Sequence, residues 1–202
     1  SISWKVTDAV SGVNSGTIKV TIDNGTAITS GITKTTITGG YQCTFTPTTA
    51  LADGSHTIKI DASDNDGNAA AQKSVTFKID TVPPTLSVTA PSNGLITNKV
   101  ACTVTGTTND VTSSPVTVTV KLNSGAAETV TVNADGTFSK ALTIASGNNT
   151  ITIVATDSAG KSTTVTRTVT LDTVAPTIKS VTITPNPVDA GKTYLISVEV
   201  TD

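Results

Sequence analysis

The chain has 202 residues, with 13 Lys and Arg against 15 Asp and Glu, a net charge of −2, and a single His. So little positive charge leaves no basic stripe to neutralise phosphates, which excludes ordinary nucleic-acid binding, and no apolar run reaches membrane-spanning length. At 36% hydrophobic and 3% aromatic residues, with no Met, the composition is too lean for one large core and suits two thin cores of Val, Ile and Ala.

In chain order the sequence alternates apolar and polar residues, and helical spacing is almost absent. "ISWKVTD" (Ile2 to Asp8) and "TIKVTID" (Thr17 to Asp23) come first, then "HTIKIDA" (His56 to Ala62) and "SVTFKID" (Ser74 to Asp80). "TLSVTAP" (Thr85 to Pro91), "PVTVTVKL" (Pro115 to Leu122), "ETVTVN" (Glu128 to Asn133) and "NTITIVAT" (Asn149 to Thr156) follow. Period-two alternation in β-branched residues predicts half-buried strands. Turn clusters lie between them at Asn24-Gly25, Asp53-Gly54, Asp66-Gly67, Asn123-Ser124-Gly125, Asp135-Gly136 and Ala159-Gly160. Such pairs supply the positive φ of tight hairpins, so an antiparallel all-β fold is expected rather than a βαβ fold.

"GSHTIKIDASDNDG" (Gly54 to Gly67) aligns with "GNNTITIVATDSAG" (Gly147 to Gly160), and "IDTVPPT" (Ile79 to Thr85) with "LDTVAPT" (Leu171 to Thr177). A period of about 90 residues is too long for a solenoid and right for a whole sandwich domain. Pro83, Pro84 and Pro176 stiffen the crossings and cannot donate to a sheet ladder. Two repeats are expected, at residues 1–82 (lacking its first strand) and 83–174, with residues 175–202 the first strands of a third. The short proline-bearing linker predicts separate cores. A chain opening on Ser1 is expected to be a piece of something longer.

The stretches "DGSHTIKIDASDNDGNAAAQKSVTFKIDTVPPT" and "GNNTITIVATDSAGKSTTVTRTVTLDTVAPT" resemble the closing hairpins of bacterial immunoglobulin-like (Big) domains. The resemblance implies tandem immunoglobulin-like antiparallel β-sandwiches. It also implies the settings where such domains recur: surface adhesins, phage virion proteins and accessory modules of secreted carbohydrate enzymes.

No catalytic constellation is legible. His56 has no base, nucleophile or ligand partner nearby in sequence and is expected to be a solvent-facing strand residue. Glu128 and Glu199 sit on strands without evident partners. Trp4, on one stripe with Ile2 and Val6, reads as core rather than as a sugar-stacking platform. Cys43 and Cys102 lie on apolar stripes in different repeats and are expected to be buried free thiols.

The one constellation above background is acidic. "DASDNDGN" (Asp61 to Asn68) offers Asp64 and Asp66 in an oxygen-rich loop suited either to a hard cation or to an ordinary solvated turn. A sharper candidate follows from topology. In an immunoglobulin-type sandwich the last strand ends at the pole opposite its own final hairpin. The crossing therefore delivers Asp80 to the pole of the next repeat that carries Asp110 and Asp157. Three carboxylates there either stand apart in solvent or share an ion, Ca²⁺ being the one cofactor they invite. Certain tandem adhesins with related domains use calcium at such junctions.

The expected function is non-enzymatic: a spacer segment of an extracellular bacterial surface protein or phage particle, its partners the neighbouring domains of its own parent. The alternatives are a module binding carbohydrate, a host surface or another protein, and an accessory domain of a secreted hydrolase. Finally, "ISWKVTD" matches "ISVEVTD" (Ile196 to Asp202), so the ends are at the same phase of the repeat. Either flanking sequence supplies the missing strands, or the tail through residues 177–187 adds to the first repeat of another copy, head to tail.

Overall fold

The computed structural model describes residues 1–202 except 185 and 188. Among these residues every regular element is a strand. The alternating segments form β1 (Ile2–Thr7), β2 (Val13–Ile22), β3 (Thr33–Ile37), β4 (Gly40–Phe45), β5 (Gly54–Asp64) and β6 (Lys73–Ile79) in the first repeat. The second repeat holds β7 (Thr85–Ala90), β8 (Leu95–Thr97), β9 (Ala101–Asn109), β10 (Thr117–Leu122), β11 (Glu128–Val130), β12 (Thr137–Thr143), β13 (Gly147–Thr156) and β14 (Ser162–Leu171). The tail adds β15 (Thr177–Thr184) and β16 (Leu195–Thr201).

First-repeat strands make two antiparallel sheets, ordered β1-β4-β3 and β2-β5-β6. Period-two pleating aims one face of each sheet at the other. Val13 and Ile18 of β2 and Ala62 of β5 meet Cys43 of β4 in one buried cluster, with Trp4, Val6 and Tyr41 packed against it. In the second repeat the sheets are β12-β9-β7 and β11-β10-β13-β14-β8, the last pair parallel. Their inward stripes (Cys102, Val104 and Phe138 from one, Val118, Val120, Ile151, Ile153 and Val169 from the other) are buried. Small β-branched residues suffice because each core is one side chain deep from either sheet. Among the described residues, β15 and β16 pair only with each other.

By contact the chain divides into two compact units. One comprises Ser1–Thr85 with Asn109–Thr117 and Ala155–Thr163; the other comprises Leu86–Thr108, Val118–Val154 and Thr164–Asp202. The first unit thus includes two short segments that the second repeat contributes, and these position the acidic cluster.

Candidate metal centre

Asp80 follows β6 directly. Asp110 opens the loop after β9, and Asp157 opens the hairpin between β13 and β14. All three belong to the first unit. One carboxylate oxygen from each lies within 4.8 Å of the other two.

The local geometry explains why these oxygens converge. Asp110 Oδ1 accepts the N–H groups of Thr112 and Ser113, at 2.8 and 2.6 Å. Asp157 Oδ1 accepts those of Ala159 and Lys161, at 2.8 and 2.9 Å. Asp80 Oδ1 accepts that of Val82 at 3.1 Å. Each carboxylate spends one oxygen folding its own loop, the usual Asx-turn role of Asp. The loops are tied together as well, by Ser158 N–H to the Ser113 carbonyl at 3.1 Å and Lys78 Nζ to the Thr112 carbonyl at 3.2 Å.

The second oxygens are different. Asp80 Oδ2 and Asp157 Oδ2 are buried and have no hydrogen-bond partner. Asp157 is only 5% exposed. A buried acceptor left unsatisfied costs about 1–3 kcal/mol, and more when charged. Two such oxygens beside a third carboxylate form a set of hard donors that no ion pair neutralises among the described residues, which is the chemistry of a divalent-cation site.

The other acidic candidates are arranged otherwise. Asp64 Oδ1 accepts Asn68 N–H at 2.8 Å, and Oδ2 accepts the Asn68 side-chain amide at 2.7 Å. That amide is the first cause holding the Asp64 carboxyl below its ordinary pKa. Asp66 is exposed at the hairpin tip. Among the described residues, neither joins a cluster of three such ligands.

His56 departs from expectation. It is buried, not solvent-facing. Its Nδ1 lies 3.0 Å from Asp23 Oδ2 and its Nε2 lies 2.8 Å from the Ala52 carbonyl oxygen. With Nε2 committed to a main-chain acceptor, this His–Asp pair has no lone pair to offer a nucleophile, so it is not a catalytic dyad. Sequence reading missed Asp23 because it lies 33 residues away on the turn after β2. Glu128 also has a partner, Lys140 Nζ at 2.5 Å. Trp4 is half-buried against the core cluster, and both cysteines are free and buried.

Residues 5–81 match the family described as bacterial Ig-like domain, and residues 84–173 match the one described as glucodextranase, domain B. Bacillopeptidase F from Bacillus subtilis (strain 168) is 34% identical over 121 residues, which is 60% of this chain and 8% of that protein. The chain therefore spans a small fraction of the curated relative it matches. Among solved structures, the fibronectin(III)-like modules of Clostridium thermocellum CbhA are 18% identical, covering 83% of this chain and 82% of theirs at a TM-score of 0.43. A tetra-tandem repeat from the extending region of a large adhesion protein is 21% identical, covering 94% of this chain and 56% of its own at 0.40. The first repeat thus resembles bacterial Ig-like domains and the second resembles glucodextranase domain B, and strands of both repeats form antiparallel sheets packed face to face around buried cores.

Proposed function

We propose that the chain is a non-catalytic structural segment of a larger extracellular protein, and that a divalent cation, Ca²⁺, consolidates it through Asp80, Asp110 and Asp157. The observation that carries the cation is the pair of buried, unpartnered oxygens on Asp80 and Asp157. Ca²⁺ takes six to eight oxygens at roughly 2.3–2.6 Å, so three carboxylates would be completed by main-chain carbonyls and water. The ion would join the end of β6 to the loops at 109–117 and 155–163, fixing three segments that the chain brings together from distant positions.

A cation that binds only the folded form stabilises it by mass action, about 2.7 kcal/mol at a free concentration one hundred times Kd. The test is thermal unfolding in millimolar Ca²⁺ against chelator, for the native chain and for Asp157→Asn. The native chain is expected to melt several degrees higher with Ca²⁺. The variant should lose that difference while melting no lower than the native chain in chelator, since a carboxylate has been relieved of like-charge neighbours. Equal melting of the native chain with and without Ca²⁺ overturns the cation reading and leaves the spacer reading standing.

A second setting is favoured by the matches to glucodextranase domain B and to bacillopeptidase F: an accessory module carried by a secreted hydrolase. Surface protein, virion protein and secreted enzyme differ in what flanks the segment. Sequencing the parent gene on either side of it distinguishes them. A glycan array then tests the carbohydrate-binding alternative, since a spacer retains no sugar.

A further inference from the structure

In an Asn-Gly pair the side-chain amide can meet the next main-chain nitrogen unhindered, because glycine has no Cβ to block the approach. The chain holds two such pairs, Asn24-Gly25 and Asn93-Gly94, both exposed in turns. Their surroundings differ. Asn93 Oδ1 accepts the Thr168 N–H at 2.9 Å and the Thr168 hydroxyl at 3.2 Å. Gly94 N–H donates to the Thr168 carbonyl at 2.8 Å. Both reacting groups of that pair are thus tied to β14.

Asn24 is held otherwise. Its Oδ1 accepts Lys59 Nζ at 3.1 Å, and among the described residues no main-chain donor reaches it. Gly25 N–H donates within the turn itself, to the Ile22 carbonyl at 3.1 Å. Lys59 is a cation on a flexible four-carbon stem, so it follows the amide as the side chain turns toward Gly25 N. Its ammonium draws electron density from Oδ1 and opens Cγ to attack. It also lies where negative charge develops on that oxygen during addition. The corresponding turn of the second repeat reads Asn123-Ser124-Gly125, with Ser124 in the place of Asn24.

We propose that Asn24 is a site of spontaneous modification, its conversion to aspartate and isoaspartate promoted by Lys59, while Thr168 protects Asn93. Gly25 N gives up its proton to solvent and bonds to Asn24 Cγ, and Lys59 holds the oxyanion formed on Oδ1. The Cγ–Nδ2 bond then breaks, and Nδ2 takes a proton and leaves as ammonia, closing a succinimide. Water opens that ring at either carbonyl, giving aspartate or a β-linked isoaspartate. The β-linked product adds a methylene to the main chain beside Asp23, whose two oxygens hold Thr57 N–H and His56. Accumulation of that product loosens this fastening of the first repeat. The inference does not depend on the cation.

Timed incubation of the full chain in neutral buffer, well below its melting temperature, tests the proposal by peptide mapping and isoaspartate-specific methylation. The expected result is loss of the amide at Asn24 several-fold faster than at Asn93, with isoaspartate appearing at position 24. Lys59→Gln should slow that conversion several-fold, whereas Lys59→Arg, which keeps a cation on Oδ1, should hold the native rate. The isoaspartyl form, separated by ion exchange, should melt below Asn24→Asp, which carries the charge without the added methylene. Equal rates at Asn24 and Asn93 overturn the proposal. So does an Asn24 that stays an amide while the urea-unfolded chain converts. A native rate in Lys59→Gln, or a rate in Lys59→Arg as slow as in Lys59→Gln, overturns the part given to the cation of Lys59. Equal melting of the isoaspartyl form and Asn24→Asp overturns the loosening.

Discussion

Asp23 and His56 occupy in the first repeat the places that Asn123 and Asn149 occupy in the second. Asp23 and Asn123 both adopt left-handed backbone, at φ 55° and 51°. Each accepts a main-chain N–H through Oδ1, from Thr57 and Thr150 respectively. His56 Nε2 and Asn149 Nδ2 both donate to a carbonyl four residues earlier, at 2.8 and 2.7 Å. One repeat thus fastens its loop with an ionisable pair, the other with neutral amides. Because both ring nitrogens of His56 face acceptors, Ala52 O and Asp23 Oδ2, the doubly protonated ring is favoured and its pKa is raised above the ordinary histidine value. The Asp23 carboxyl is held low, first by Thr57 N–H and then by His56. His56 therefore contributes stability that is complete below the ordinary histidine pKa and is lost as pH rises through its raised one. Asp23 contributes stability that is present above the ordinary carboxylate range and is lost as pH falls through its lowered pKa. Asp8 and Asp64, also held low by N–H donors, share that acid limb, so the alkaline limb is the diagnostic one. Melting of the first repeat is expected to decline across that limb. Asp23→Asn/His56→Asn, which copies the second repeat, should flatten it; an unchanged profile in the double variant would refute the assignment.

At the scale of the strand, β9 shows how close packing restricts sequence. A Cβ added at Gly106 would meet the Ser87 carbonyl oxygen and the Phe138 ring, the latter at 2.6 Å. Neither yields cheaply, since one is main chain and the other is a buried side chain. Gly106→Ala is expected to destabilise the second repeat by about 1–3 kcal/mol, as overpacked cores generally are. Denaturant unfolding checks this, and a midpoint equal to that of the native chain would show that β7 can move aside. The strands themselves were legible because alternation in Val, Ile and Thr leaves few other ways to bury one face. Turn chemistry was less so. The left-handed residue after β2 is Asp23 rather than a member of the Asn24-Gly25 pair, because the Asp23 carboxylate is anchored to Thr57 and His56.

At the scale of the whole molecule, the repeats differ in how they neutralise one homologous carboxylate. Asp64 and Asp157 hold equivalent places, as do Asn68 and Lys161. The Asn68 amide reaches Asp64 Oδ2, whereas Lys161 offers Asp157 only its main-chain N–H and Oδ2 stays without a partner. An amide donor and a cation compete for the same oxygen. Lys161→Asn is therefore expected to raise the melting temperature in chelator and to shrink the increment that Ca²⁺ adds. Were the increment to stay at its native size in calorimetry, the oxygen that matters would not be Asp157 Oδ2.

The sequence by itself determined the class of fold, the period of the repeat, the core stripes at Cys43 and Cys102, and the absence of a local catalytic motif. These are properties of neighbours along the chain, where side-chain period and turn residues act within a few positions. Even Asp80, Asp110 and Asp157 could be nominated together, because sandwich topology fixes which loops share a pole. Only the tertiary structure decided which oxygens are left without donors and that His56 is buried against Asp23. Each of those depends on atoms 30 or more residues apart, and burial and hydrogen-bond satisfaction are set by where such atoms arrive in space.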